Sequence, residues 1–269
     1  MACSRAAGAA SRSDAANDAV TTFADHFSDH ARDYASARPH YPATLFAWLA
    51  DQCAQRGLAW DAGCGNGQAS VALAEHFAHV HASDPSAAQI AQGTAHPRVH
   101  YAVEPAEATS LPAQSVDLIS VAQAFHWFDH PRFFAEVRRV ARPGAVVAVY
   151  SYERTRVTPA VDAWFAHVYV DVLGHYWPPE RRHVESGYRS LPFPFNELPS
   201  PPVFELHCDW RLPQYLAYLR SWSACQKYLT QHGHDPLAAL EPALHDAWGD
   251  PAMVRAVHWP LNLRVGIVE

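Results

Sequence analysis

The sequence predicts an α/β domain built on a parallel sheet, and three observations carry that reading. Five short apolar runs, at 57–61, 80–83, 99–103, 116–121 and 145–150, alternate with segments of helical spacing or a loop. Right-handed crossovers turn that alternation into a parallel sheet. The first run ends in Asp61-Ala62-Gly63-Cys64-Gly65-Asn66-Gly67, where glycine at every second position lets the backbone pass close to a ligand that any Cβ would strike. Asp84 closes the second run, 19 residues beyond Gly65, the place where a doubly wound sheet grips a ribose through its hydroxyls.

The elements follow in order. Segments 19–31 and 43–55 have helical spacing; in the second, Leu45, Phe46, Leu49 and Cys53 recur at three- and four-residue steps after Pro42 and Thr44. Strand 57–61 precedes a helix at 68–77, and strand 80–83 a helix at 86–94. Strand 99–103 runs into a loop, and strand 116–121 leads to a helix at 131–141. That helix puts Phe133, Phe134, Val137, Val140 and Ala141 on one face and Arg132, Glu136 and Arg139 on the other. Arg142-Pro143-Gly144 then stops it before the fifth strand. Beyond Tyr152 the pattern changes. A long amphipathic helix is expected at 158–177, and the proline-dense stretch 178–202 excludes a helix or a central strand, which makes it an excursion or lid. A strand at 204–212, helices at 213–230 and 236–248, and a closing strand at 261–268 complete the chain.

Composition narrows the function classes. The chain has 269 residues, 49% of them hydrophobic, enough for one large domain with a modest cap. A formal charge of −7 without a run of lysine or arginine disfavours a nucleic acid partner, and no stretch approaches the roughly 20 apolar residues of a membrane span. Cys3, Cys53, Cys64, Cys208 and Cys225 are odd in number, scattered and free of C-x-x-C spacing, which fits reduced, cytoplasmic usage. Residues 1–17, rich in Ala, Ser and Arg and lacking an apolar signal region, are expected to be a disordered tail ahead of one domain at 18–269. The 18 histidines form no H-E-x-x-H, and neither His26 with His30 nor His232 with His234 has the company of a metal site, so no metal is expected. Oligomeric state is left open.

Spacing also separates the nucleotide-type readings. A dinucleotide fingerprint needs G-x-G-x-x-G, but Gln68 stands three beyond Gly65 and the third glycine comes early, at Gly67; no lysine follows to make a phosphate loop. An acid followed by G-x-G-x-G, with a second acid at the next strand tip, resembles the first motif of the class I S-adenosylmethionine-dependent methyltransferases. That resemblance implies a Rossmann-like seven-stranded sheet of order 3-2-1-4-5-7-6 with the last strand antiparallel, and helical cap insertions at about 158–248. It implies S-adenosyl-L-methionine as cofactor, with the turn Gly63, Gly65 and Gly67 beneath its methionine part, Asp61 orienting its ammonium group and Asp84 on the ribose. A helix cap is the other reading of Asp61.

Further residues extend the resemblance. Ala106-Glu107 ahead of Leu111-Pro112 is similar to the family's adenine-reading A-E-x-L-P segment, two residues longer here; a solvated loop acid is the alternative for Glu107. Gln123 to Phe128 should emerge at the carboxyl end of the fourth strand, where open α/β sheets bind ligands. There Gln123 would face the cofactor, Trp127 could offer a ring face to a sulfonium, and His126 could deprotonate a hydroxyl or, equally, order the loop. Tyr34, Arg38-Pro39 and Tyr41-Pro42 resemble the Y-x-x-x-R-P-x-Y-P segment of small-molecule enzymes related to the trans-aconitate and other carboxyl methyltransferases. This implies a catalytic Tyr34 and an Arg38 that pairs with a carboxylate, against the plainer reading of a surface arginine beside a turn proline. The function expected is methyl transfer to a small molecule at oxygen; a macromolecular acceptor and a non-catalytic cofactor-binding protein are the alternatives.

Overall fold

A computed structural model describes residues 39–152 and 154–269. The expected tail, the helix at 19–31, Tyr34 and Arg38 therefore lie outside the described residues. In chain order the elements are α1 (Ala43–Asp51), β1 (Leu58–Ala62), α2 (Gln68–Leu73), β2 (His79–Asp84), α3 (Ala87–Ile90), β3 (Val99–Val103), β4 (Val116–Ala122), α4 (His130–Val140) and β5 (Ala141–Tyr152). They continue with α5 (Pro159–His167), α6 (Arg181–Glu185), β6 (Asn196–Glu197), β7 (Glu205–Trp210), α7 (Leu212–Arg220), α8 (Ser223–His232), α9 (Glu241–Trp248) and β8 (Arg255–Ile267).

The sheet runs β3-β2-β1-β4-β5-β8-β6, with β7 also paired to β8. Strands β1 to β5 are mutually parallel and β8 is antiparallel to β5, so the expected class and order stand with one strand added. The addition has a local cause. β8 is long, and its outer edge is covered in two pieces: Asn196 and Glu197 pair with Ile267 and Gly266, while Glu205–Trp210 pair with Pro260–Arg255. Between the pieces lie Pro199, Pro201 and Pro202, which cannot donate to a ladder. The single sixth strand of the expected pattern is thus an edge strand interrupted by its own prolines.

The expected helices are also cut where local bonds compete. The span 158–177 begins with Thr158 accepting from Val161 N, but gives way after His167 to a π turn at Val168–Val172 and a 3-10 turn at Gly174–Tyr176. Three valines and a glycine in that stretch are poor helix formers. The span 213–230 breaks at Trp222, where the Ser221 hydroxyl donates to Tyr218 O at 2.6 Å and the Gln226 side-chain amide donates to Arg220 O at 2.7 Å. Glu136, placed by spacing on the outer face of its helix, is in fact buried: it accepts from Thr109 N and Oγ1 at 2.8 and 2.7 Å and pairs with Arg139. It fastens the loop after β3 to α4.

Two apolar clusters fill the sheet's faces. One contains Trp60, Ile119, Val121, Phe133, Val137 and Tyr188. The other joins α1 (Leu45, Phe46, Leu49) to Tyr150, Trp164, Tyr215, Trp248 and Trp259. The helices after β5 are therefore continuous with the sheet's own core, which holds them over the carboxyl ends of β4 and β5.

Candidate active site at the carboxyl edge of the sheet

β1 turns sharply at its end because the N–H groups of Gly63 and Cys64 both donate to Ser83 O of β2, at 2.8 and 3.0 Å. Gly63, Gly65 and Gly67 have φ of 69°, 55° and 82°, a region that costs other L residues strain. Their surroundings differ. A Cβ on Gly63 would lie 2.5 Å from Ala124 Cβ, and one on Gly67 would enter the Tyr101 ring, 2.6 Å from Cε1. A Cβ on Gly65 would have only Gln89 Oε1 near it, at 3.7 Å. The turn is clamped at both ends and open in the middle.

Two acids flank it. Asp84, at the tip of β2, takes Gly65 N on Oδ2 at 2.9 Å and Ser86 N on Oδ1 at 2.8 Å, so its carboxylate is fixed in orientation and faces the turn. Asp61 is fully buried, and its Oδ2 accepts from Ser70 Oγ of α2 at 2.5 Å. Burial, with the Asp84 charge nearby, pushes its pKa up to about 7 against the pull of the Ser70 bonds. Its Oδ1 has no partner.

The loop after β3 places Ala106 in the interior and ties Glu107 to the start of α4, its Oε1 accepting Asp129 N at 2.8 Å. Glu107 is thus partly exposed but tied to the protein by that bond. After β4, Gln123 has φ of 58° and donates its backbone N–H to Tyr150 O at 2.9 Å, while its Nε2 is buried without a partner. A 3-10 turn at Phe125–Trp127 follows. Within it His126 Nδ1 lies 3.1 Å from the Tyr188 hydroxyl, with the two rings stacked at 5.9 Å and Trp127 at 4.7 Å from the imidazole. Burial first, then the positive groups Arg181, His183 and His130, push the His126 pKa down to about 3. The imidazole is neutral at physiological pH and a poor proton acceptor.

Among the described residues, three buried side-chain atoms lack any partner: Asp61 Oδ1, Gln123 Nε2 and Ser151 Oγ. Asp61 and Ser151 are the penultimate residues of β1 and β5, and Gln123 follows β4 directly, so all three sit at the carboxyl edge of adjacent strands. Buried polar groups are normally satisfied. An acceptor, a donor and a hydroxyl left open beside a glycine turn fit a polar zwitterionic ligand such as the methionine part of S-adenosylmethionine. A cleft of about 380 Å³ also lies at the amino ends of β1 to β3, away from these atoms, lined by Leu58, His79, His81 and Arg98 among others.

Known proteins decide the family. A profile described as "Methyltransferase domain" matches residues 60–149, the span from the first strand through the fifth. A candidate methyltransferase of Dictyostelium discoideum is 33% identical over 238 residues, 86% of this chain and 90% of that one. The chain belongs to the class I S-adenosylmethionine-dependent methyltransferases. A solved candidate type II methyltransferase from Anaeromyxobacter dehalogenans is 54% identical, covers 86% of this chain and 97% of its own, and superposes with a TM-score of 0.81. A Saccharomyces cerevisiae protein named as a probable S-adenosylmethionine-dependent methyltransferase is 27% identical over 168 residues, 58% of each chain. Two residues near this edge were not singled out by sequence reasoning: Ser151, whose hydroxyl is one of the unpartnered atoms, and Arg181, at the start of α6. Ser151 lay one residue beyond the strand expected at 145–150 and carried no motif, and Arg181 lay in the proline-rich excursion. Among the described residues no helix is long and apolar enough to cross a membrane, and no group of side chains could hold a metal ion.

Proposed function

We propose that this methyltransferase acts on a small molecule at an oxygen atom, a carboxylate or an already acidic hydroxyl, in the manner of the carboxyl methyltransferases its amino-terminal segment resembles. The observation that carries this reading is the edge at β1, β4 and β5, where unpartnered Asp61 Oδ1 and Gln123 Nε2 stand beside the open middle of the glycine turn. When bound, S-adenosylmethionine supplies an electrophilic methyl on a sulfonium. Asp61 Oδ1 would take the ammonium group, Asp84 the ribose hydroxyls, and the 63–67 turn would give the close approach. Ala106 and Glu107 would border the adenine.

The chain's own contribution is alignment and exclusion of water. Tyr150, whose hydroxyl bonds Ser120 Oγ at 2.8 Å, and the half-buried Trp127 would wall the reacting centre with ring surface. Neutral His126, locked against Tyr188, positions that wall and takes no proton. The acceptor must then arrive as an anion or lose its proton to water, which favours a carboxylate over an alcohol. The test is calorimetric titration with S-adenosylmethionine, for the native chain and Asp84→Ala, followed by a screen of carboxylic acids, phenols and amines for release of S-adenosylhomocysteine. Turnover confined to amines would overturn the oxygen assignment. Absence of cofactor binding by folded, ligand-free protein would remove the reading altogether.

A further inference from the structure

We propose that Arg181 is an anchor for the carboxylate of the acceptor molecule, set in an aromatic box on the far side of the reacting centre from the glycine turn. Its surroundings argue for it. Arg181 opens α6, and its Nε donates to the Tyr169 hydroxyl at 2.8 Å. The guanidinium carbon lies 4.9 Å from the Trp177 ring centroid and 5.7 Å from that of Tyr169. α6 packs against the turn at Phe125–Trp127, and Tyr188, just beyond α6, stacks on His126 of that turn, so the box borders the turn after β4.

Among the described residues the box holds no counter-charge. No carboxylate among the described residues lies within ion-pair distance of Arg181. The nearby acid, Glu185, is engaged elsewhere: its Oε1 accepts the Tyr169 hydroxyl at 2.7 Å and lies 3.7 Å from Arg154 Nη2. Arg154 itself sits over the Tyr169 ring at 4.3 Å. Among the described residues Glu185 is thus committed to Arg154 and the Tyr169 hydroxyl, and Arg181 is left without a paired carboxylate. A partly buried guanidinium that donates only through Nε leaves its planar Nη pair for a fork-shaped acceptor. One unpaired guanidinium suits a monoanionic carboxylate better than a phosphate dianion. The half-buried Trp177 ring beside the guanidinium suits a flat ligand body.

The inference rests on the small-molecule methyltransferase reading, and the experiment separates the two. Protein loaded with S-adenosylhomocysteine is probed by saturation-transfer NMR with benzoate, with its neutral isostere benzamide, and with inorganic phosphate as competitor. Benzoate is expected to bind, benzamide to give no comparable signal, and Arg181→Gln to weaken benzoate by about tenfold or more, the scale of lost hydrogen bonds to a charged group. Arg181→Lys, which keeps the charge and loses the fork, should fall between. The S-adenosylhomocysteine signal should be unchanged in both variants, which also shows that they fold. A missing benzoate signal beside an intact cofactor-product signal, equal binding of benzamide, or indifference to Arg181→Gln would each overturn the anchor. Displacement of benzoate by phosphate at equal concentration would overturn the carboxylate assignment in favour of a phosphate ligand. Loss of the S-adenosylhomocysteine signal from the native protein would sink the methyltransferase reading instead.

Discussion

The two sides of the site are made of different material. The side proposed for the cofactor, from Asp61 to Asp84, is mostly backbone: three left-handed glycines, a pair of N–H groups on Ser83 O, and two acids whose oxygens are aimed by Gly65 N, Ser86 N and Ser70 Oγ. The side proposed for the acceptor is mostly side chain, with Trp127 from the turn after β4 and Tyr169, Trp177 and Arg181 from the excursion after β5. Backbone geometry restricts which residues can stand at a position, and that restriction is written in consecutive letters. A side-chain wall leaves no such mark.

If the cofactor side is set by backbone, its largest response should come from adding one carbon. Gly67→Ala forces a Cβ into Tyr101 in a conformation with φ of 82°, and should cost about 3 kcal/mol or more through combined strain and overpacking. Gly144 provides the control, with φ of 79° and nothing within 4 Å of an added Cβ; Gly144→Ala should cost only the strain, about 1–2 kcal/mol. Equal losses of melting temperature in the two variants would show that collision plays no part. Gly67→Ala should also abolish measurable cofactor binding in whatever fraction stays folded.

Next in size is Asp84→Asn. The carboxylate accepts two backbone N–H groups, and an amide can replace only one oxygen, leaving an N–H pointed at an N–H. Cofactor affinity should fall by about tenfold to a hundredfold, read by calorimetry, with a smaller change in melting temperature. Unchanged affinity would remove Asp84 from the ribose role.

Asp61 should show itself through pH. With a pKa of about 7 in the free protein, it is largely protonated below neutrality. An ammonium placed at Oδ1 favours the ionised form and lowers that pKa on binding. The cofactor should therefore bind more weakly as pH falls below 7, by up to about tenfold per unit, with proton release on binding. Calorimetry in buffers of different ionisation enthalpy measures that proton, and Asp61→Asn should erase both the slope and the release. Affinity that stays level from pH 8 to 5 would place the ammonium elsewhere.

The same contrast explains what the sequence could and could not say. The alternation of strands and helices, the glycine turn and the position of Asp84 were legible because each is a local rule of backbone conformation. The doubling of the edge strand was half legible: Pro199, Pro201 and Pro202 showed that a strand was barred there, but not that Asn196 and Glu197 would pair with β8 before the prolines and Glu205–Trp210 after them. The Arg181 environment was illegible, since its character depends on which carboxylates fail to reach it. Glu136 shows the opposite failure. Helical spacing put it outside, and tertiary contact with Thr109 and Arg139 drew it in.

His126 makes the finest test of where the acceptor side begins. A histidine whose folded pKa is about 3, against 6.5 unfolded, binds its proton in the unfolded chain first. Its contribution to stability is thus fully present above pH 6.5 and is lost as pH falls from there toward 3. Asp61 acts with opposite sign between 3.8 and about 7, since its raised pKa makes the folded state the tighter proton binder; it favours folding below that window and loses that contribution as pH rises through it. Comparison of His126→Gln with the native chain isolates the histidine: the variant should lose less melting temperature between pH 7 and 5. The ring resonances of His126 should show no titration across the same range. A ring that titrates near 6.5 would mean that water reaches the Tyr188 face, and would return His126 to the role of proton acceptor for a hydroxyl substrate.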